Sequence, residues 1–503
     1  MSINGNWDRR RASRREFLGR GGAAAALLAV APSAALGATA ESSRNPVVSF
    51  GELVTDPNGV VDLPAGFTYK VISLEGTPMS SGPPVPGDHD GMAAFRGKGN
   101  STVLVRNHEL RPGDPTPVEG TNPYDPAFPG GTTGVVLDKD LNVVEEFVTS
   151  SGTINNCAGG GTPWGTWITC EEDRTTNHGY CYEVMWDDPE NELSKTPIRE
   201  MGFFSHEAID VDPRTGIAYL TEDDFRGTID PNDPNLDTRS SFLYRYLPNS
   251  RRRRPGALQE GGTLQALKID EGPADADFLE PGQRFGVRWV TVDPAEAAAS
   301  ALSQGATKFN RLEGCNFAGG AFWFDDTAGG EVRLGQMFRL IPRSGRIGDE
   351  FERSGDILEL FFEATDANQM ESPDNVIVTP WGDVWFAEDG DGTNRVMGLT
   401  PKGEVYEFAR NNLDSEFAGP CFSPKGDAFF VNVQSPSDGL GFTLAIEGRF
   451  PRGNLGRRRA MALAEPPPGL APVISGELAE AAERHGLSQL EAAAYDRLGV
   501  PMT

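Results

Sequence analysis

The sequence predicts an all-β fold: a six-bladed β-propeller with long inserted loops and a short C-terminal helical tail. One strand–turn–strand unit recurs six times between residues 85 and 435, and repeats of short strands at this scale are typical of propellers. The chain has 60 glycines and 38 prolines, which supply the turns between strands. Its 503 residues exceed an ordinary single domain but suit a closed ring of strands. β-Hairpins in a sandwich are the alternative, because any all-β fold repeats turns and strands.

Each unit starts with polar residues, passes through a turn that contains Pro or Gly, and ends as an apolar strand followed by acidic or amide side chains. The clearest unit runs from Asn156 to Asp173. It begins with an amide and the thiol of Cys157, turns at residues 162–165, and ends in Cys170 and three consecutive acidic residues. The other units begin near His89, Ser205, Arg311, Pro373 and Gly419.

The innermost strands of a propeller run along a central channel, so the polar ends of all units point to one axial mouth. Side chains that are distant in sequence then converge there. The candidate residues are nearly all acidic or amide side chains at these strand ends. They are Asp90, Glu109, Asn156, Cys170, Glu171, Glu207, Glu222, Asp223, Glu313, Asp374, Asn375 and Glu388.

Several carboxylates at one mouth cannot all ionise without a counter-charge, so bound cations explain them most simply. Oxygen ligands favour calcium or magnesium, and carboxylates together with one thiolate also suit iron. The alternative is a solvated strand end, since runs of charge usually face water. His89, His108 and His206 flank the acids, either as ligands or proton-transfer groups or as buried hydrogen-bonding residues.

Arg311 stands two residues before Glu313, in surroundings that are otherwise negative. A planar guanidinium is suited to bind two oxygens of one phosphate. Ion pairing with a neighbouring carboxylate is the alternative. The sequence therefore offers one cationic residue for anion binding beside the acids.

The first forty residues have the features of an export signal. Residues 13–18 read Ser-Arg-Arg-Glu-Phe-Leu, a twin-arginine signature, and an apolar run follows from Ala23 to Ala31. We therefore expect export by the twin-arginine translocase to the periplasm or the medium. No other apolar run approaches the roughly 20 residues of a membrane span. Residues 45–452 form the expected hydrolase domain, and residues 453–503 form a linker and helical tail.

Charge and cysteine usage narrow the function further. A formal net charge of -28 excludes a nucleic-acid surface, which should be basic. Five cysteines are an odd number, so at least one is unpaired or a ligand. A disulfide of Cys170 with Cys157 or with Cys181 stays open at this point. No Cys-x-x-Cys motif is present, which argues against a zinc ribbon or a thioredoxin-like site.

Several motifs resemble those of the PhoX-type alkaline phosphatases. They include His-Asp-Gly-Met at 89–92, Asn-Cys-Ala-Gly-Gly at 156–160, Thr-Pro-Trp-Gly-Thr at 162–166 and Thr-Cys-Glu-Glu at 169–172. The resemblance covers about residues 45–450 and implies a monomeric, secreted six-bladed propeller with a cluster of Fe³⁺ and Ca²⁺ bridged by an oxo group. By this resemblance the iron-bound cysteine falls on Cys170, although Cys157 stays possible, and the family's arginine and glutamate fall on Arg311 and Glu313. Further acidic ligands fall on Glu171, Glu207 and Glu222.

The predicted function is hydrolysis of small phosphate monoesters, with a metal-bound oxide or hydroxide as the nucleophile. Arg311 would neutralise charge on the phosphoryl oxygens, and Asn156 would donate a hydrogen bond to one of them. The expected metal ligands are Cys170, Glu171, Glu207, Glu222, Glu313, Asp374 and Glu388. The alternatives are a calcium-dependent lactonase or esterase, which would need no thiol, and a secreted binding propeller without activity.

Overall fold

The computed structural model describes residues 50–224, 241–250, 252–342, 355–390, 392–435 and 439–451, together with the backbone of residues 229–230 and 233–237. Within these ranges the protein is all-β and propeller-like, with a single short α-helix, α1 (Ala297–Ser303). The predicted signal at 1–40 and the predicted tail at 453–503 lie outside the described residues. None of the helices in the described ranges is long and apolar enough to cross a membrane.

The strands are short, and nearly all are antiparallel to their neighbours in sequence. They are β1 (Leu53–Val54), β2 (Val61–Pro64), β3 (Thr68–Leu74), β4 (His89–Arg96), β5 (Thr102–His108), β6 (Gly130–Leu137), β7 (Val143–Thr153), β8 (Asn156–Gly161), β9 (Trp167–Glu171), β10 (Cys181–Val184), β11 (His206–Val211), β12 (Ala218–Glu222), β13 (Ile229–Asp230), β14 (Asp233–Asp237), β15 (Tyr244–Pro248), β16 (Gly262–Ile269), β17 (Arg284–Thr291), β18 (Leu312–Ala318), β19 (Ala321–Asp326), β20 (Gln336–Ile341), β21 (Asp356–Glu363), β22 (Pro373–Val378), β23 (Val384–Glu388), β24 (Arg395–Leu399), β25 (Val405–Asn411), β26 (Phe417–Phe422), β27 (Ala428–Val433) and β28 (Phe442–Glu447). Short 3-10 helices cover Lys98–Asn100, Glu192–Lys195, Arg199–Met201, Leu258–Glu260, Ala276–Phe278 and Pro294–Glu296.

Consecutive strands pair into sheets. The first sheet has the order β4-β5-β6-β7, and the second has β8-β9-β10. A nine-stranded sheet contains β11-β12-β15-β16 and β18-β19-β20-β21, which β17 joins by pairing with both β16 and β21. The strands β22 to β25 form the next sheet, which β2 and β1 extend. The last sheet, β26-β27-β28, is completed by β3 from the beginning of the chain, and this pairing ties the two ends of the described chain together.

Six strands, which we call the inner strands, form a ring: β4, β8, β11, β18, β22 and β26. Each packs against the next, and β26 packs against β4. Glycine permits this close approach. A Cβ on Gly91 would clash with the backbone of Ala158, and a Cβ on Gly314 would clash with the carbonyl of Asp374. The space that the ring encloses is called the channel below.

Every inner strand is irregular near its start. Its first residue pairs with the last residue of the neighbouring second strand (β5, β9, β12, β19, β23 or β27), and regular pairing resumes about three residues later. Such β-bulges re-aim side chains. Four inner strands are also preceded by a non-glycine residue with positive φ, a conformation that few L-residues adopt. These four residues are Asp88, Asn155, Arg311 and Ser372.

Apolar side chains fill the space between neighbouring sheets. Trp385 on β23 is fully buried and packs against Phe408 on β25 and Phe429 on β27. Burial of side chains of this size stabilises the fold by about 1.5–3 kcal/mol each. This packing holds neighbouring inner strands at fixed positions around the channel.

Candidate metal centre at the channel mouth

The bulges of the inner strands place ligand-type side chains at one structural position. Each of these residues directly follows the first residue of its inner strand, which is the residue that pairs with the end of the second strand. Five of the six positions carry a carboxyl or a thiol group. The residues are Asp90, Cys157, Glu207, Glu313 and Asp374, and Ala418 occupies the sixth position.

A second set of polar side chains comes from the residue that directly follows each second strand. Because the last residue of the second strand pairs with the first residue of the inner strand, these side chains lie beside the first set. Four of the six are acidic. They are Glu109, Glu172, Asp223 and Asp389, with Thr327 and Gln434 at the other two positions.

Two groups of three donors are close enough to share one cation each. In the first donor group, ligand atoms of Cys157, Glu172 and Glu207 all lie within 4.8 Å of one another. In the second donor group, the same holds for Glu207, Glu313 and Asp374. Glu207 therefore belongs to both groups, and the two candidate positions are adjacent.

The electrostatics of these residues show that they are crowded with negative charge. Burial raises the pKa of Glu207 well above its usual range, and Asp374, Glu172 and Asp90 raise it further. Burial and Asp389 raise the pKa of Asp374 to about 8. The thiol of Cys157 also has a raised pKa, through burial and then through Asp90 and Glu207.

Glu207 is the clearest sign of a missing partner. It is fully buried. Apart from the thiol of Cys157, neither of its carboxylate oxygens has a hydrogen-bond donor among the described residues. Buried carboxylates without donors are rare because desolvation is costly. Cations bound at the two donor groups would satisfy both oxygens, so the residues present fit a metal site.

The thiol in this site is Cys157 and not Cys170. Cys170 is fully buried in an apolar cluster, directly opposite Cys181 on β10, with their sulfur atoms 3.6 Å apart. All five cysteines of the chain lie in the described residues, and all are free thiols. The structure therefore does not bring Cys170 to the carboxylates. Cys157 has this place because it occupies the bulge of β8.

The structure also places Glu171, Glu222 and Glu388 outside the two donor groups. We call these residues the first acids, because each ends a second strand and precedes another acid. Glu171 accepts hydrogen bonds from the backbone of Gly179 at 2.8 Å and from His178 at 2.7 Å. Each first acid is held in place by donors of this kind. Glu222 accepts from Tyr244 at 2.8 Å and pairs with Arg174 at 3.0 Å, and Glu388 accepts from Arg395 at 2.6 Å and from the backbone of Glu371 at 2.9 Å.

Asn156 is also engaged elsewhere. Its side-chain oxygen Oδ1 accepts a hydrogen bond from the hydroxyl of Thr153 at 2.6 Å, and its side-chain nitrogen Nδ2 donates to the hydroxyl of Thr169 at 2.8 Å. The side chain is fully buried. The amide therefore fixes the start of β8, with its oxygen and its nitrogen both hydrogen-bonded within the fold.

Arg311 lies beside Glu313 of the second donor group, and its guanidinium is paired. It donates to both oxygens of Asp223, at 3.0 and 2.8 Å, and to Glu313 at 2.9 Å. Burial lowers its pKa, but Glu313 and Asp223 outweigh this effect, so the pKa is raised overall. Its side chain remains 38% exposed. The group is therefore charged, oriented and still accessible.

The three histidines near the acids are satisfied by hydrogen bonds within the fold. His89 bonds to the carbonyl of Pro86 at 3.0 Å, His108 to that of Gly87 at 2.7 Å, and His206 to that of Gly202 at 3.0 Å. Burial lowers the pKa of His206 to about 4. These contacts favour the buried hydrogen-bonding role and leave the site to carboxylates and one thiol.

Sequence reasoning missed Glu172, Asp389 and Arg111. The signal for Glu172 and Asp389 was the alternation of side chains along a strand. Each follows the last residue of its second strand, so its side chain points to the opposite face. Arg111 lies three residues beyond β5 and contacts Glu109 at 3.0 Å. No spacing in the sequence distinguishes it from an ordinary loop arginine.

Comparisons with known proteins identify a matching family and solved structures of similar fold. The family model described as alkaline phosphatase PhoX matches residues 48–146 and 139–437. Among solved structures, PhoX of Pseudomonas fluorescens in complex with vanadate, a transition state analogue, aligns with a TM-score of 0.59 and 18% identity over 78% of this chain and 96% of that chain. A gluconolactonase from Xanthomonas campestris aligns with a TM-score of only 0.39 and 12% identity over 80% of this chain and 99% of that chain. No curated protein matches the sequence.

Proposed function

We propose, from the premise that this chain belongs to the alkaline phosphatase PhoX family, that it hydrolyses phosphate monoesters at its channel mouth with the help of bound cations. Family membership makes the chain a phosphatase. The observation that carries the rest is Glu207, a buried carboxylate that belongs to both donor groups and that has no hydrogen-bond donor among the described residues apart from the thiol of Cys157.

The chemistry of the two donor groups suggests which ions they take. The first group combines the thiol of Cys157 with carboxylates, a set suited to iron. The second group contains only carboxylates, which calcium prefers. We therefore propose Fe³⁺ at the first group and Ca²⁺ at the second. Bound there, such ions would polarise the phosphoryl group and supply an activated water as nucleophile.

The protein's own residues supply orientation and charge. Asp223 holds the guanidinium of Arg311 by two hydrogen bonds, so its planar face is fixed beside Glu313. The exposed edge of the Arg311 guanidinium would donate hydrogen bonds to phosphoryl oxygens, whose negative charge changes during phosphoryl transfer. Because the pKa of Arg311 is raised, this charge persists throughout the working pH range.

Three further features belong to the proposal. The ring of six inner strands supports a six-bladed propeller, in which β17 links two blades at their outer strands. The twin-arginine signature at residues 13–18 supports export to the periplasm or medium, with metals loaded before translocation. We expect the enzyme to act as a monomer on small phosphorylated molecules.

Phosphate release from p-nitrophenyl phosphate tests the proposed function. We expect activity from protein purified without added metal, loss of activity on chelation, and iron together with calcium in elemental analysis. Glu207→Gln should remove both metals and lower kcat/KM by about 10³-fold. Activity that survives both chelation and Glu207→Gln would contradict the proposal, as would hydrolysis of lactones or phenyl acetate with calcium alone.

A further inference from the structure

A second arginine, Arg111, lies at the channel mouth. Its place in the chain is fixed, because Leu110 is fully buried and its carbonyl accepts a hydrogen bond from the backbone of Asn155 at 2.9 Å. The backbone of Arg111 itself donates to Asp114 at 2.7 Å. The backbone of Arg111 is therefore held at the start of this loop, next to the start of β8.

The guanidinium of Arg111 is only partly used by the protein. One nitrogen lies 3.0 Å from Glu109 and 3.9 Å from Glu172, and 49% of the side chain is exposed. By comparison, the side chain of Arg174 pairs with Glu222 and Asp224 and is only 24% exposed. Arg111 thus keeps donors available for an anion in the mouth.

Arg111 and Arg311 each lie beside one of the two donor groups. Arg111 contacts Glu172 of the first group, and Arg311 contacts Glu313 of the second. The groups share Glu207. The shared Glu207 therefore connects the donor group beside Arg111 with the donor group beside Arg311.

We propose that Arg111 is a second substrate-binding arginine, which contacts the phosphate together with Arg311 and favours monoesters over diesters. This inference rests on the proposed function. A monoester at alkaline pH carries two negative charges on three terminal oxygens, whereas a diester carries one charge on two. Two arginines on either side of the phosphate match the monoester, whose terminal oxygens can accept hydrogen bonds from both. In a diester, one guanidinium would face an ester group and would lose its hydrogen bonds.

The alternative is that Arg111 only neutralises Glu109 and Glu172, as many surface ion pairs do. The two roles differ in what the substitution Arg111→Gln changes. A purely structural role alters metal content or stability and affects all substrates alike. A phosphate-binding role alters anion affinity and the monoester-to-diester ratio while the metals stay in place.

The test uses the metal-loaded enzyme and its variants Arg111→Gln and Arg111→Lys, with Arg410→Gln as a control. Arg410 is an exposed partner of Glu407 on β25, so its substitution removes one positive charge away from the mouth. Iron and calcium content, vanadate binding by calorimetry, and kinetics with p-nitrophenyl phosphate are measured. Bis(p-nitrophenyl) phosphate serves as the diester, either as a substrate or as a competitive inhibitor.

We expect Arg111→Gln to keep both metals, to weaken vanadate binding by about tenfold or more, and to raise the KM of the monoester similarly. Affinity for the diester should change less than about twofold, and Arg111→Lys should be intermediate because it keeps the charge without the fork. Unchanged vanadate affinity, equal losses for both esters, or loss of metal would overturn the inference. A wild-type enzyme that releases no phosphate from the monoester would instead refute the proposed function.

Discussion

Two neighbouring acids close the second strands β9, β12 and β23, and they lie in opposite environments. The first acids, Glu171, Glu222 and Glu388, point into the sheets and are surrounded by hydrogen-bond donors. The residues that follow them, Glu172, Asp223 and Asp389, are called the second acids, and they lie beside the inner-strand carboxylates. On β9, one step along the chain therefore separates a structural carboxylate, Glu171, from a candidate ligand, Glu172.

The difference follows from strand geometry. Successive side chains point to opposite faces, so a shift of one residue moves a side chain from one environment to the other. The first acids find backbone amides, tyrosine or arginine. Among the second acids, Asp223 is paired with Arg311, whereas Glu172 lies beside other acids, and burial together with Asp223 and Glu109 raises its pKa. A buried carboxylate that is surrounded by hydrogen-bond donors has a structural role. A buried carboxylate that lies beside other acids, without enough donors, indicates a site for cations.

The two cysteines give the largest expected contrast. Cys157→Ser should remove iron and lower kcat/KM by about 10³-fold, because the thiolate belongs to the first donor group. Cys170→Ser should keep iron and activity and cost only about 1–2 kcal/mol of stability, because its thiol packs against apolar residues. Elemental analysis, phosphatase assays and thermal unfolding measure these effects. Loss of iron in Cys170→Ser with iron retained in Cys157→Ser would reverse the assignment.

The adjacent acids of β9 give the next contrast. Glu171→Gln should destabilise the protein by about 3 kcal/mol, because a fully buried carboxylate loses charge-assisted hydrogen bonds. Glu172→Gln should lose metal, yet after chelation it should unfold at a higher temperature than chelated wild type, since one repelling charge is gone. Thermal unfolding with and without chelator checks both variants. Equal behaviour of the two variants would show that strand alternation does not separate their roles.

The inner-strand acid Asp374 also predicts a dependence of stability on pH. The pKa of Asp374 rises from its usual value to about 8 in the folded chelated protein. The folded state then binds more protons than the unfolded state between about pH 4 and pH 8, so the free energy of unfolding falls as pH rises through this window. Metal-loaded protein should lack this fall. Urea unfolding at several pH values tests it, and a chelated protein that gains stability toward pH 8 would contradict it.

The fold class could be predicted from the sequence because the strand–turn–strand unit repeats and because its apolar strands are regular. Glu207, Glu313 and Asp374 could be chosen for the same reason, since they occupy one position of the repeat. Cys157 and Glu172 could not be separated from Cys170 and Glu171, because the bulge and the pairing register decide which of them faces the channel. Arg111 depends on the path of a long loop, which no repeat encodes.

The central claim is that Cys157 and the acids around Glu207 hold the catalytic cations. Anomalous diffraction at the iron absorption edge, on crystals of protein purified without chelator, tests it most directly. We expect an iron peak between Cys157, Glu172 and Glu207, and a second, non-iron cation beside Glu313 and Asp374. Iron bound at Cys170 and Cys181, or no cation within reach of Glu207, would contradict the account.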